Sequence, residues 1–224
     1  MPHFRHEIKH EITYSDMLSI KSRMDLIAGR DKNAKDGTYF IRSLYFDNLY
    51  DKALKEKIDG VNMREKFRIR FYNFDTSYIM LEKKSKINGL CEKRQARLSK
   101  EEAQAIISGN IEWMKETDRD LLKELYVKMK YQGLRPKTIV DYDREPFVYA
   151  PGNVRVTLDY NIRTGLDSTD FLNPKCITLP AGEEHIVLEV KWDEYLPEII
   201  KAAVATPTTH STSFSKYATC RIYG

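Results

Sequence analysis

The chain has 224 residues, 42% hydrophobic and 31% charged, and 37 Lys and Arg against 33 Asp and Glu give a formal net charge of +4. This is a globular composition within the size of a single domain, basic enough for an anionic ligand without demanding nucleic acid. The charged, alternating start excludes a secretory signal, and no apolar run reaches the about 20 residues of a membrane helix; Cys91, Cys176 and Cys220 are too scattered for a disulfide framework or a zinc site, so free thiols in a reducing cytoplasm are expected.

Residues two apart in a strand face the same side, and this chain uses that period to separate charge from oil. At the start, Arg5, Glu7, Lys9 and Glu11 share one face, and Phe4, Ile8 and Ile12 the other. A helix is expected over 16–28, capped by Ser15, with Met17, Ile20, Met24 and Ile27 at helical spacing. TYFIRSLYFDN reads as a strand. In EKFRIRFYN, Lys66, Arg68 and Arg70 oppose Phe67, Ile69 and Phe71; in YIMLEKK, Met80, Glu82 and Lys84 oppose Ile79 and Leu81. CEKRQARL places Cys91, Lys93, Gln95 and Arg97 on one parity.

Ser99 and Glu102 form a capping box before AQAII, with Gly109 as the stop. DRDLLKELYVKMKYQ is a helix ending near Gly133 and Pro136, its Leu121, Leu125 and Met129 facing the core. Three more strands follow. Arg144 shares a face with Val140 and Tyr142; Arg155, Thr157 and Asp159 oppose Val154, Val156, Leu158 and Tyr160; Glu189 and Lys191 oppose Ile186, Leu188 and Val190. YLPEIIKAAVA and SFSKYATC are expected helices. About eight strands with turns between them predict a sandwich or barrel, and the absence of repeats and linkers predicts one domain over 1–224.

Any one charged face could be the wet side of an antiparallel sheet. The collection is dominated by Arg and Lys, with a few carboxylates at E-x-K spacing. Directed into one space, such cations repel, and a polyanion makes the arrangement favourable. Phosphate fits, since guanidinium groups bind its oxygens bidentately and Lys adds a compact charge. A carboxylate among them can hold Mg²⁺ or Mn²⁺ against the phosphate oxygens. His6 and His10, about 13 Å apart along a strand at about 3.4 Å per residue, cannot chelate one ion, and with His3 they read as surface residues. Asp159 could serve as a metal ligand or as the partner of an arginine. Trp192 is expected to pack on the outside.

The ordered set EIKHEI, RSLYFDN, RIRFY, MLEKKSKING, YDREPFV, VRVTLD, VLEVKW and SFSKY resembles a VTC-type polyphosphate polymerase domain, from about residue 4 to 221. That family belongs to the triphosphate tunnel metalloenzymes, a CYTH-like superfamily. The resemblance implies a mainly β (α+β) fold, a closed antiparallel eight-stranded barrel around a basic tunnel with peripheral helices. It implies transfer of the terminal phosphate of ATP to polyphosphate with Mn²⁺ or Mg²⁺. By motif, Lys9, Arg68, Arg70 and Lys216 take catalytic positions. Lys84, Lys93, Arg144, Arg155, Arg5 and Lys191 take substrate-binding ones, and Glu189 the metal, helped by Glu7 or Glu82. Where the superfamily often opens E-x-E-x-K, this chain has Arg5-x-Glu7-x-Lys9, so one metal-binding carboxylate is missing. A tripolyphosphatase, with water as acceptor, and a non-catalytic polyphosphate-binding module are the alternatives. The expected partners are ATP and inorganic polyphosphate or triphosphate in the cytoplasm, with no nucleic acid and no membrane segment.

Overall fold

The computed structural model describes residues 6–34, 36–87, 90–207, 210–211 and 213–223. The strands are β1 (His6–Ile12), β2 (Gly29–Arg30), β3 (Tyr39–Asp47), β4 (Met63–Tyr72), β5 (Ile79–Ile87), β6 (Leu90–Leu98), β7 (Arg135–Tyr149), β8 (Val154–Thr164), β9 (Leu179–Pro180), β10 (Ile186–Trp192) and β11 (His210–Ser211). The helices are α1 (Tyr14–Ile27), α2 (Lys52–Ile58), α3 (Lys100–Ile107), α4 (Asp120–Tyr131), α5 (Glu198–Val204) and α6 (Lys216–Ile222). None is long and apolar enough to cross a membrane.

The strand order is β11-β1-β10-β8-β7-β3-β4-β5-β6, with β2 on β7 and β9 on β8, and the registered pairs are antiparallel. The expected closed ring of eight strands is corrected to an open order of eleven among the described residues. Among the described residues β11 pairs β1 alone, and β6 pairs β5 alone. The composition of β6 suits an edge, because charged Glu92 and Arg94 alternate with charged Lys93 and Arg97 on its two faces.

Two compact units are interleaved along the chain. One comprises residues 1–40, 142–162 and 183–215; the other comprises 41–141, 163–182 and 216–224. In the first, Ile12, Val156, Leu158, Ile186, Leu188 and Val190 bury the apolar face of β1, β8 and β10 against Met17, Ile20 and Met24 of α1 and Ile200 and Val204 of α5. Ile20 and Met24 are fully buried, each contributing about 1.5–3 kcal/mol. In the second, Leu44, Phe67, Ile69, Phe71, Ile79 and Leu81 pack on Ala103 and Ile106 of α3 and on Leu121, Leu122, Leu125 and Met129 of α4. In both units the helices cover the apolar face, so the charged parity is left on the other side of the sheet.

The expected Ser15 cap is corrected. Thr13 begins α1: its hydroxyl accepts the Asp16 N–H at 3.2 Å, and its own N–H donates to the Asp16 carboxylate at 3.2 Å. Asp16 completes a capping box that Ser15 cannot reach. Thr13→Ala should therefore cost about 1 kcal/mol in urea unfolding, and Ser15→Ala about 0.5 kcal/mol or less. The box of Ser99 and Glu102 forms as expected, with Ser99 Oγ accepting the Glu102 N–H at 3.1 Å. Ahead of β8, Gly152 has φ +72°, and a Cβ there would lie 2.4 Å from the Tyr195 carbonyl oxygen. Glycine thus permits the turn that sets the start of the strand carrying Arg155.

Candidate functional site

The second unit presents a grid of cations. Across β4, β5 and β6 one face carries Lys66, Arg68, Arg70, Lys84, Lys93 and Arg97 against a single carboxylate, Glu82. Lys66, Lys84 and Lys93 lie directly opposite one another in one cross-strand row. Like charges so placed destabilise a sheet. In the next row Arg68 donates from Nε to Glu82 at 2.7 Å and from Nη1 to the Tyr45 hydroxyl at 2.8 Å. Lys93 reaches the other Glu82 oxygen at 2.7 Å, and Arg70 lies 3.9 Å from Glu82 while donating to Ser43 at 3.0 Å. Burial alone would raise the Glu82 pKa, but Arg68, Arg70 and Lys93 outweigh it and hold the carboxylate well below its ordinary range. One buried acid therefore organises three cations, Arg68, Arg70 and Lys93, on one face of the sheet.

Lys216 opens α6, whose place in this unit is fixed by neighbours. The Tyr217 hydroxyl donates to Asp47 at 2.6 Å, its ring stacks on Tyr45 at 5.0 Å, and Thr164 donates to the Cys220 carbonyl at 3.1 Å. That puts Lys216 one residue from the tyrosine that touches the Arg68 partner.

The first unit holds a different balance. Lys9 of β1, Glu189 of β10 and Thr157 of β8 form one row; Glu7, Lys191 and Arg155 form the next. Lys9 lies 3.2 Å from Glu7 and 3.1 Å from Glu189; Lys191 lies 3.3 Å from Glu7 and 2.9 Å from Glu189. Two carboxylates and two ammonium groups alternate in a square. Burial would raise the Glu189 pKa, yet Lys191, Lys9 and Arg144 keep it ionised far below the usual range. Burial would lower Lys9, and Glu189 and Glu7 reverse that into a raised pKa. Arg144 forks onto buried Asp159 at 2.6 and 2.7 Å, with Glu189 3.9 Å away. Asp159 is thus the arginine's partner. Arg155 donates to Tyr39 at 2.8 Å and lies 3.1 Å from Asp31, which also accepts the Tyr39 hydroxyl at 2.7 Å.

No group of three His, Cys, Asp or Glu residues gathers as a ready metal cage among the described residues. The donor set of the first unit nevertheless fits a hard divalent cation that also takes phosphate oxygens. Glu7 and Glu189 supply two carboxylates on one face, and the Thr157 hydroxyl in the Glu189 row is buried with no hydrogen-bond partner. Mg²⁺-type sites characteristically use one or two carboxylates and leave the remaining positions to water and phosphate.

The expected site residues thus fall into two sets. Glu7, Lys9, Arg144, Arg155, Glu189 and Lys191 come together in one unit, and Arg68, Arg70, Glu82, Lys84, Lys93 and Lys216 belong to the other. Arg5 lies outside the described residues. His6 stacks on Trp192 at 5.3 Å, a plain packing role. The residues missed by sequence reasoning are Tyr45, Ser43, Tyr39 and Asp31, which hold arginines, and Thr157 as an orphan hydroxyl. The parity of RSLYFDN could have pointed to Ser43 and Tyr45, since both lie opposite the R-x-R arginines in register.

The fold is similar to that of two solved proteins. One, from Hippeastrum, is named as a proposed adenylyl cyclase with a dominant triphosphatase activity. It aligns with a TM-score of 0.59 and 15% identity, over 96% of this chain and 93% of that one. The other is a proposed adenylate cyclase from Bacillus halodurans, at a TM-score of 0.52 and 15% identity, over 84% of this chain and 80% of that one. At such identity the likeness shows the fold alone. No curated protein matches the chain. The VTC domain model, however, matches residues 4–222, which takes in both charged faces and every described site residue. The chain is a member of the VTC domain family.

Proposed function

We propose that the protein is a single-domain, metal-dependent polyphosphate polymerase that moves the terminal phosphate of ATP to a polyphosphate chain. The carrying observation is the row Lys66, Lys84 and Lys93, three lysines set directly opposite one another beside two arginines, on a face of β4, β5 and β6 whose one carboxylate is Glu82. Such a row raises the energy of the free protein and is stabilised by a polyanion.

In the second unit Arg68 and Arg70 take phosphate oxygens, with Lys84, Lys93 and Lys216 adding compact charge; in the first unit Lys9, Arg144, Arg155 and Lys191 bind phosphate oxygens by charge-assisted hydrogen bonds. Glu189, with Glu7, would hold Mg²⁺ or Mn²⁺, which when bound draws charge from the phosphate oxygens. Glu82, the one carboxylate on its face of β4, β5 and β6, orders Arg68, Arg70 and Lys93. A terminal oxygen of the acceptor chain attacks the γ-phosphorus, the β–γ bridging bond breaks, and ADP leaves. The acceptor is already an anion, so no Ser or Cys nucleophile is needed, and positioning with charge neutralisation carries the rate.

Purified protein incubated with ATP and Mn²⁺ or Mg²⁺ should yield ADP and long polyphosphate in step. Orthophosphate without chain growth would make the protein a triphosphatase. No turnover with any divalent metal, despite tripolyphosphate binding, would make it a binding module. Selective binding to the native state should also raise stability by about 2.7 kcal/mol at a hundredfold excess of tripolyphosphate over its Kd. Thermal unfolding in tripolyphosphate against chloride of equal ionic strength measures this. Equal shifts would reduce the effect to screening and remove the polyanion site.

A further inference from the structure

Tyr45 of β3 borders the cation face of the second unit, buried, and directly opposite Arg68 in the β3–β4 register. Its hydroxyl oxygen accepts the Arg68 Nη1–H at 2.8 Å, and among the described residues no acceptor takes the hydroxyl's own proton. A buried O–H that accepts from a guanidinium and has nowhere to donate holds its proton weakly. The Arg68 guanidinium carbon lies 5.6 Å from the ring centroid and the Lys66 ammonium 5.7 Å. Tyr217 stacks on the ring and gives its own proton to Asp47.

We propose that Tyr45 is a positioning residue for Arg68 and a proton-linked sensor of the face, holding Arg68 as the phenolate when the face is empty and regaining its proton when a polyanion takes the arginine. The inference rests on the polyanion reading above and deepens it, because it makes ligand binding take up a proton. The charged surroundings point one way. From β4, Tyr45 is faced by Lys66, Arg68 and Arg70. Glu82 of β5 is shared among Arg68, Arg70 and Lys93 of β6. On the α6 side, Asp47 is occupied by Tyr217, and Arg221 pairs with Asp51; Lys216 begins that helix. Burial by itself would push the phenol up, but the charges of Arg68, Lys66 and Arg70 bring it down to about 7.

The sign follows from the charges. A bound polyanion opposes the positive potential that favours the phenolate, so the pKa rises on binding and the proton returns. Affinity for the polyanion must then fall as pH rises between the free and bound values, by at most about tenfold per pH unit for one proton.

The test uses the intact protein and sodium tripolyphosphate at fixed ionic strength. Near-ultraviolet titration of the wild type should show one phenolate appearing around pH 7 that Tyr45→Phe lacks. Saturating tripolyphosphate should move that step upward by about one pH unit or more. The ratio of the two proteins' Kd values for tripolyphosphate should grow with pH above the step, the ligand's own protonation cancelling in the ratio. A step that stays in place under saturating ligand, or no step below the range of ordinary tyrosines, overturns the inference while phosphate binding stands. Absence of tripolyphosphate binding at every pH overturns the polyanion reading, and the linkage with it. The wild-type titration alone decides the matter should the variant not fold.

Discussion

Glu189→Gln should reduce metal-dependent turnover of ATP by about a hundredfold or more while metal-free tripolyphosphate binds as well as or better than to the wild type. The two readouts move apart because the carboxylate has two opposing relations. Toward a divalent cation it is a donor, and the amide is a poor substitute. Toward an anion it is a like charge, set among Lys9, Lys191 and Arg144. Its removal leaves those three cations with less compensation, so the free variant should also melt lower, and tripolyphosphate should restore more of its stability than it adds to the wild type. The pH dependence sharpens the point. Glu189 has a folded pKa far below its ordinary value, so its stabilising contribution is complete above the ordinary carboxylate range and is lost as pH falls through the depressed value. The Gln variant should lose that part of the acid dependence. Full turnover in Glu189→Gln would exclude it as an essential metal ligand and leave Glu7 as the carboxylate to test.

The charged parity of β1, β4, β8 and β10 was legible because each has an apolar face that a helix covers. There the period of two sorts Lys9 from Ile8, Arg68 from Ile69, Arg155 from Val156 and Glu189 from Leu188 in plain view. β3 escaped the same reading because it is almost wholly buried, so Ser43 and Tyr45 read as filler between apolar neighbours. The N-terminus of α1 was misplaced by two residues. Ser15 and Thr13 are both good caps, and only the reach of Asp16 back to Thr13 separates them. The short strands β2, β9 and β11 span two residues each, too few for any period to show. Closure was beyond the sequence altogether, since it depends on what lies beside β6, not on the residues within it. The motif order carried the family. It did not reveal that Arg144 is already forked onto Asp159, or that Arg155 is shared with Asp31 and Tyr39. The Arg155 pairings join residues far apart along the chain.

Arg42→Ala should be the most destabilising change in the second unit, costing about 3–5 kcal/mol and lowering the melting temperature by on the order of 10 °C. Arg42 stands one parity away from Tyr45, on the side of β3 that carries Leu44 and Phe46 into the core, and is 2% exposed. Its guanidinium donates to both Asp141 oxygens at 2.9 and 2.8 Å and to the Asn173 carbonyl at 2.7 Å. Truncation takes the forked guanidinium from the Asp141 carboxylate, 1% exposed, leaving it Thr178 and the charge of Arg163, and releases the Asn173 carbonyl. Burial already raises the Asp141 pKa despite the arginine, so without its partner the acid should take up a proton or pull water inward. Because the penalty lies in the uncompensated charge, replacing both residues, as in Arg42→Met with Asp141→Leu, should recover much of the loss. Arg68→Ala supplies the contrast. It removes a cation from a face crowded with them, so it should weaken tripolyphosphate binding strongly with a smaller effect on melting. Chemical denaturation of the three variants, with binding measured on each folded protein, separates the arginine that holds the sheet from the arginine that meets the ligand. An Arg42→Ala protein as stable as the wild type would show that the buried pair contributes nothing net.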